Sequence, residues 1–358
     1  MALGAAVRLV LLALLTLQNA GQTLIIKLAQ LQGSHPNSLV VMLFAEMVKV
    51  VASVILFFLF EREGKWWQYF GPSAFRRSLK LWPVAFSFAL QNQLLFVAVH
   101  NLTPPVFQAL AQLKILSAGI FSVLLLSKKL SQVQWTALIL LACGAALVQM
   151  EGQLCAAPEE SEAGGRGKLD AVKGFLACLA SSSLSGLGGC YTELMLKTEK
   201  LPMWLQSAQV AFASTVILSS MITLDRTAAD GGPDSFDMLD GFIALTWVVI
   251  AVISLGGLVV VAVLRYADNV LKGMSMVFAL LLSGVASVMF FATHIGSVFC
   301  VSAVIICCSV FLYQHTPPGA GQSTGGSVAQ IDGKKIDPPL STSGPHGGDS
   351  DRAGRESP

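Results

Sequence analysis

The chain has 358 residues, of which 54% are hydrophobic and only 12% are charged, and its mean hydropathy is +0.67. A soluble chain usually carries about twice that charged fraction, so a soluble globular protein is excluded. The formal net charge of +2 is close to balance and indicates no nucleic-acid-binding surface. The expected partner is the lipid bilayer, and no nucleic acid is expected.

Ten apolar segments follow one another along the chain, separated by short polar or charged stretches. Because a helix needs about 20 apolar residues to cross the hydrocarbon core, each segment predicts one transmembrane helix. The first run is longer than the apolar core of a signal peptide, so we expect a retained first helix. The predicted helices are 6–27, 38–60, 81–100, 104–127, 132–150, 169–190, 203–224, 241–264, 270–292 and 295–313.

Lysine and arginine are concentrated in the connections that follow the second, fourth, sixth and eighth segments. Connections rich in these residues stay in the cytosol, so we expect these four connections and both termini to be cytosolic. The residues concerned are Arg62, Lys65, Arg76, Arg77 and Lys80, then Lys128 and Lys129, then Lys197 and Lys200, and finally Arg265.

The chain is predicted to divide into a transmembrane transporter domain, residues 1–315, and a cytosolic tail, residues 316–358. The tail is rich in Gly, Ser and Pro and is predicted to be disordered. A luminal loop, 151–168, separates two halves, about 1–150 and 169–315, of five helices each. Because five is odd, the halves are inverted in the membrane. The predicted fold is therefore an all-α membrane protein of two inverted five-helix repeats, which is typical of alternating-access carriers.

Each half places a lysine in its fourth helix. Lys114 follows Gln112 in the fourth segment, and Lys272 follows Asn269 in the ninth. Lys114 lies near the middle of its segment, too deep for its side chain to reach the interface, and an ionisable residue at that depth indicates function. Lys272 lies near the cytosolic start of its helix, where snorkelling to the interface explains it equally well.

Helical spacing groups the polar residues of three segments into faces that together predict one pocket. Two ammonium groups suit a phosphorylated anion, while the amides of Gln91, Asn92 and Gln108 suit the edges of a nucleobase or sugar. Hydrogen bonding between helices is the structural alternative for the amides. The faces are Phe107, Ala111 and Lys114; Phe88, Gln91 and Asn92; and Asp268, Asn269 and Lys272.

Other polar residues are interpreted as structural. Glu46 and Lys49 are spaced i,i+3 and Glu193 and Lys197 i,i+4, and both spacings favour pairs within one helix. The Ser/Gly-rich stretch 181–189 predicts close helix packing, with bending during transport as the alternative. The seven cysteines are interpreted as packing residues, because their spacing fits no metal site.

Four stretches of the sequence resemble the nucleotide-sugar transporter family, within the drug/metabolite transporter superfamily, and the resemblance extends from residue 5 to 313. Members of this family carry CMP-sialic acid, UDP-galactose or UDP-N-acetylglucosamine. The stretches are FALQNQLLFVAVHNL (88–102), FQALAQLKILSAGIFSVLLLSKKLSQVQW (107–135), CYTELMLK (190–197) and GGLVVVAVLRYADNVLKG (256–273).

The resemblance implies a ten-helix fold in the Golgi membrane and strict exchange of a cytosolic nucleotide sugar for a luminal nucleoside monophosphate. It places Gln91 and Asn92 at the nucleotide and Lys114 and Lys272 at the phosphates. Weaker candidates are Tyr191, Ser207 and Asn269. The chain departs from the family pattern where tyrosines usually line the pocket, because it has Phe88, Phe107 and Ala111, and Ser207 stands where an asparagine is common.

The leading hypothesis is an antiporter without enzymatic activity, cofactor or bound metal, whose partners are a nucleotide sugar and a nucleoside monophosphate. One alternative is a carrier of another phosphorylated metabolite. A second is a membrane-embedded lipid-linked transferase, with metal ligands from the Asp-rich stretch 225–240. Assembly as a homodimer is left open.

Overall fold

The structure is a computed structural model that describes residues 2–34, 36–61, 78–154, 168–199, 201–228, 238–291 and 296–316. Among these residues, ten helices are long and apolar enough to cross a membrane, as predicted. The predicted tail and most of the predicted luminal loop lie outside the described residues. The helices are α1 (Ala2–Leu31), α2 (Ser38–Leu56), α3 (Trp82–Asn101), α4 (Pro104–Ala111 and Leu113–Leu126), α5 (Gln132–Leu154), α6 (Lys168–Thr198), α7 (Met203–Ala228), α8 (Ala244–Tyr266), α9 (Asn269–Phe291) and α10 (Ser297–His315).

Three helices differ from their predicted form. A π-helical turn, Phe57–Glu61, continues α2, and one turn residue, Gln112, interrupts α4. The apolar segment predicted for α6 ended at residue 190, and the helix continues to Thr198, as the predicted i,i+4 pair of Glu193 and Lys197 requires. It continues because the charged side chains of this stretch, Glu193 and Lys197, have partners on neighbouring elements.

The helix pairs show that the chain is built from two similar halves. The α3–α6 pair has its counterpart in α8–α1, and the α4–α6 pair in α9–α1, while α2 packs on α7 and α5 on α10. Hydrogen bonds join two of these pairs: Ser117 Oγ of α4 donates to Ser182 O of α6 (2.6 Å), and Thr16 Oγ1 of α1 donates to Ser275 O of α9 (3.3 Å). This is the arrangement of two five-helix repeats, and the odd number makes them inverted.

Small residues on α6 allow close contact with α4, as the Ser/Gly-rich stretch predicts. A Cβ atom added to Gly186 would lie 2.6 Å from the carbonyl carbon of Ser117. Lipid tails give apolar helices no hydrophobic reason to associate, so close van der Waals contact of this kind contributes to their packing. The crossing of α4 and α6 therefore requires glycine at position 186.

The two faces of the bundle differ in which helix ends they hold. Because the ten spans alternate in direction, α1 begins and α10 ends at the same face, which we call the terminal face. At this face α2, α4, α6 and α8 also end, and α3, α5, α7 and α9 begin. The other face is called the opposite face.

Candidate functional site

Two cavities meet in the interior of the bundle. The first, of about 320 Å³, lies among α2, α3, α6, α7 and α8, and most of its lining is apolar, so we call it the apolar cavity. The second, of about 350 Å³, lies among α1, α3, α4, α5, α6 and α9 and is called the lysine cavity. Phe88 and Lys272 line both cavities. The two spaces therefore adjoin, with Lys272 between them.

Lys114 and Lys272 both line the lysine cavity, as the predicted pocket requires. Lys114 lies two residues after the interruption of α4, and Lys272 lies in the first turn of α9. No carboxylate is among the described residues that line this cavity, and within the described chain neither ammonium group has a hydrogen bond or an ion pair. A buried cation without a partner is costly, so the arrangement is suited to an anionic ligand.

Three predicted amide residues line the cavities. Gln91 and Asn269 line the lysine cavity, and Gln91 Oε1 and Asn269 Oδ1 are buried without a hydrogen-bond donor among the described residues. Asn92 lines the apolar cavity, where its Nδ2 lies 3.5 Å from Met42 Sδ. Buried carbonyl oxygens without donors are costly, so these amides are available for a ligand with N–H or O–H groups.

The remaining predicted site residues are dispersed. Ser207 lines the apolar cavity, but its hydroxyl is already 2.9 Å from that of Ser53. Tyr191 and Gln108 line neither cavity. The Tyr191 hydroxyl donates to the backbone carbonyl of Lys80 (3.1 Å) at the terminal face, outside the predicted pocket.

Several cavity residues were not predicted. Gln112, Gln149, Asn19 and Thr23 add polar groups to the lysine cavity. The signal available in the sequence was a polar residue inside an apolar segment, strengthened for Asn19 and Thr23 by their i,i+4 spacing, which places both on one face. The sequence did not show that α1 and α5 border the pocket, because that depends on helix packing.

Glu46 and Lys49, which the sequence predicts to be a structural pair, also line the apolar cavity. Lys49 Nζ lies 2.6 Å from Glu46 Oε1, which confirms the predicted pairing within α2. However, Glu46 Oε2 is buried and accepts no hydrogen bond from a described residue, and Gln206 Oε1 of the same cavity is also without a donor. Two buried acceptors without donors therefore belong to residues that line the apolar cavity.

The start of α9 already holds its own anions. The Asn269 N–H donates to Glu193 Oε2 and the Leu271 N–H to Asp268 Oδ1, both at 2.8 Å. A helix N-terminus is otherwise a common anion-binding position. Because carboxylates occupy two of these N–H groups, the side chains of Lys114 and Lys272 are the cationic groups left for an anionic ligand in this cavity.

Two inverted halves with a cationic cavity between them define a class of protein: a multi-span membrane protein built like secondary transporters, which bind substrate between their repeats. The family model described as nucleotide-sugar transporter matches residues 4–314. The chain therefore belongs to the nucleotide-sugar transporter family.

Similar proteins carry transporter names. The human UDP-galactose translocator is 33% identical over 337 residues, covering 90% of this chain and 80% of the relative. The human UDP-N-acetylglucosamine transporter is 35% identical over 240 residues, covering 66% and 71%. A Caenorhabditis elegans UDP-N-acetylglucosamine/UDP-N-acetylgalactosamine transporter is 35% identical over 243 residues, covering 67% and 70%. These relatives are transporters and translocators, not enzymes, which is contrary to the transferase alternative.

A crystal structure superposes with a TM-score of 0.60 over 84% of this chain and 95% of the other, at 14% sequence identity. At that identity the likeness shows a shared fold alone. It agrees with the ten-helix architecture described above.

Proposed function

We propose that this protein is an antiporter that exchanges a cytosolic UDP-sugar for luminal UMP across the Golgi membrane. The observation that carries the proposal is the pair of lysines, Lys114 and Lys272, one from each inverted half, without carboxylate partners in one cavity. The two ammonium groups fit a diphosphate, and no bond is made or broken in transport. UDP-galactose and UDP-N-acetylglucosamine are the first candidates, because the relatives are named for them.

Exchange, as opposed to net movement of one substrate, follows from the cost of the empty cavity. Moving two cations without counter-ions through a closed intermediate leaves both charges uncompensated in a low-dielectric interior. A bound nucleotide supplies negative charge in either direction. The carrier therefore switches between its two open states when a nucleotide is bound and does not switch when it is empty.

Because the interior contains two adjoining cavities, we propose that each cavity binds a different part of the substrate. The lysine cavity holds the phosphates, and Gln91 and Asn269 offer carbonyl oxygens to neighbouring donors. The apolar cavity, which adjoins at Lys272, receives the other end of the ligand. Its acceptors on Glu46 and Gln206 suit the hydroxyl groups of a neutral sugar.

The proposed orientation places the terminal face in the cytosol. Among the described residues, Lys80, Lys128, Lys129, Lys197 and Arg265 lie at or near that face, in agreement with the positive-inside rule. An epitope at the C-terminus should be accessible to antibody in cells whose plasma membrane alone is permeabilised, and should colocalise with a Golgi marker. Accessibility only after the internal membranes are opened would reverse the orientation.

The transport activity is tested with purified full-length protein in proteoliposomes preloaded with UMP. We expect uptake of labelled UDP-galactose or UDP-N-acetylglucosamine that requires internal UMP. Lys114→Ala and Lys272→Ala should each reduce uptake by about 100-fold or more, because each removes a buried charge contact to phosphate. Lys173→Ala is the matched control, since Lys173 is exposed and, among the described residues, forms its ion pair with Asp170 on its own helix.

The same vesicles distinguish the alternatives. Labelled CMP-sialic acid in place of the UDP-sugars tests the base, and preloading with CMP or GMP tests the exchanged nucleotide. Uptake of a sugar phosphate that free UMP does not inhibit would establish a carrier of another phosphorylated metabolite. Undiminished uptake by Lys114→Ala would remove that lysine from the mechanism.

A further inference from the structure

Glu193 is a buried carboxylate close to the substrate site but outside both cavities. Its side chain is 0% exposed. Oε1 accepts hydrogen bonds from Lys128 Nζ (2.9 Å) and Lys197 Nζ (2.8 Å), and Oε2 accepts one from the backbone N–H of Asn269 (2.8 Å). The predicted pair with Lys197 is thus present, but the carboxylate also reaches two further elements.

Three elements converge on this carboxylate at the terminal face. Lys128 belongs to the α4–α5 connection and also lies 3.5 Å from Asp268 Oδ2, in the α8–α9 connection. Lys197 of α6 donates to the carbonyl of Ala267 in the same connection (2.6 Å). Ser127, with φ 52°, ends α4 in the left-handed conformation and turns the chain towards Lys128. The ends of α4 and α6 and the start of α9 are therefore fastened together. We call Lys128, Glu193, Lys197 and Asp268 the carboxylate node.

Lys128 of the carboxylate node retains its charge at physiological pH. Burial lowers the pKa of Lys128, but the carboxylates of Asp268 and Glu193 outweigh that effect, so its pKa is raised above the ordinary value. The lysine is therefore protonated at neutral pH. Its attraction to the two carboxylates persists under the conditions in which the protein works.

The node lies between the lysine cavity and the terminal face. Glu193 of the node accepts a hydrogen bond from the N–H of Asn269, the first residue of α9. Asn269 lines the lysine cavity, and so does Lys272, one turn further along the helix. In the other direction the cavity extends towards the opposite face as far as Thr23 and Gln149. On the terminal-face side of this cavity, the node joins the end of α4 to the start of α9.

We infer that Glu193 is a positioning residue for the substrate site and the latch that closes the lysine cavity towards the terminal face. It fixes the first turn of α9, and with it the side chains of Asn269 and Lys272, relative to α4. Opening towards the terminal face separates Lys128 from Glu193, and binding weakens when Glu193 no longer holds Asn269. The positioning role rests on the proposed function; the closure does not.

Cys190 provides a native reporter for the latch. Its thiol is fully buried one turn before Glu193, and Asn269 Nδ2 lies 3.4 Å from its Sγ. A variant that retains Cys190 alone reports opening as alkylation by a water-soluble maleimide applied to the terminal face of sealed vesicles. The cysteines replaced by serine are Cys143, Cys155, Cys178, Cys300, Cys307 and Cys308.

In this background Glu193→Gln keeps the shape of the side chain and removes its charge. We expect the alkylation rate of Cys190 to rise about tenfold, because the closed state loses two ion pairs. The matched control is Glu199→Gln, which breaks an ion pair between α6 and Lys80 at the same face (2.8 Å) but touches no residue of α9. The control should leave the alkylation rate unchanged.

Transport kinetics separate positioning from a merely structural role. Glu193→Gln should raise the KM for the UDP-sugar several-fold, and Glu193→Asp should have a KM between that of Glu193→Gln and that of the wild type. A loss of folded protein would instead lower only the maximal rate. Unchanged alkylation and unchanged KM in correctly folded Glu193→Gln would overturn the inference. If that variant does not fold, Lys128→Gln opens the same node without touching Asn269, and an unchanged alkylation rate there would overturn it equally.

The two proposals fail in different ways. If the wild-type protein exchanges no nucleotide, the proposed function fails, while the alkylation of Glu193→Gln against Glu199→Gln still measures the latch. If exchange proceeds but Cys190 labelling is the same in both variants, the latch fails and the antiporter stands.

Discussion

The two faces of the bundle are held together by different chemistry. At the terminal face, charged side chains join α6 to α3, to the α4–α5 connection and to the start of α9. At the opposite face, the contacts described between helices are hydrogen bonds and apolar clusters. Three ion pairs between described residues of different elements lie at the terminal face. The opposite-face contacts include Ser34 with Thr246, Lys27 with Ser287, and the cluster Val40, Leu43, Leu218 and Ile222.

The difference indicates how the terminal face is held together in this structure. Ion pairs near the interface regain hydration when they separate, so they hold a closed state without making opening prohibitively costly. α6 contributes to most of these contacts. Its position relative to α4 therefore decides whether the node can form, and three sets of substitutions test this from the largest effect to the smallest.

The largest effect is expected at the crossing that places α6. Gly186→Ala puts a Cβ atom 2.6 Å from backbone carbon of Ser117, so we expect a loss of about 1–3 kcal/mol in the free energy of unfolding. Gly21→Ala is the matched control, because a Cβ atom on Gly21 would meet nothing within 4 Å. It should stabilise the protein by about 0.5–1 kcal/mol. Denaturation in detergent measures both, and equal effects would contradict the close crossing.

An intermediate effect is expected at the helix starts of the two faces. Asp268→Ala removes the acceptor of the Leu271 N–H and an ion pair with Lys128, while Asn37→Ala removes only the acceptor of the Leu39 N–H at the opposite face. The loss of a cap costs about 1 kcal/mol, so Asp268→Ala should cost about 1–2 kcal/mol and Asn37→Ala about 1.

Asp268→Asn separates the two contributions, because it keeps the capping oxygen and removes the charge. Its unfolding free energy should lie between those of Asp268→Ala and the wild type. A loss as large as that of Asp268→Ala would mean that charge, not capping, holds the start of α9.

The smallest effect is expected for the exposed pairs at either face. Lys80→Ala at the terminal face and Lys173→Ala at the opposite face should each change the free energy of unfolding by less than about 0.5 kcal/mol, since solvent screens both pairs. High salt should abolish even that difference. A larger loss of unfolding free energy for Lys80→Ala would mean that the Lys80–Glu199 pair, next to the start of α3, also holds the terminal face closed.

Much of the fold could be predicted from the sequence because the bilayer restricts the choices. Apolar length gave the ten spans, and the odd number in each half gave the inversion. The apolar span predicted for α6 ended at residue 190, because residues 191–198 are too polar to count towards a membrane-crossing segment, while the i,i+4 spacing of Glu193 and Lys197 indicated that the helix continues. Glu193 and Lys197 are accommodated there by partners that are remote in sequence.

The site was predictable only where a residue was anomalous for its surroundings. A lysine in the middle of an apolar segment marked Lys114, and the internal repeat marked Lys272. Gln149 and Asn19 carried no comparable signal, because an isolated amide in a helix is as often a hydrogen-bonding partner between helices. Tyr191 was grouped with the pocket, but the rotation of α6 turns its hydroxyl towards Lys80.

The sequence by itself determined the membrane environment, the number of spans and the two cationic positions, because hydropathy and charge act locally along the chain. Only the tertiary structure decided that the two lysines share one cavity and that Glu193 holds the start of α9. Both depend on which helices cross and on how each is rotated about its axis. Helical periodicity fixes which residues share a face, but packing decides what that face meets.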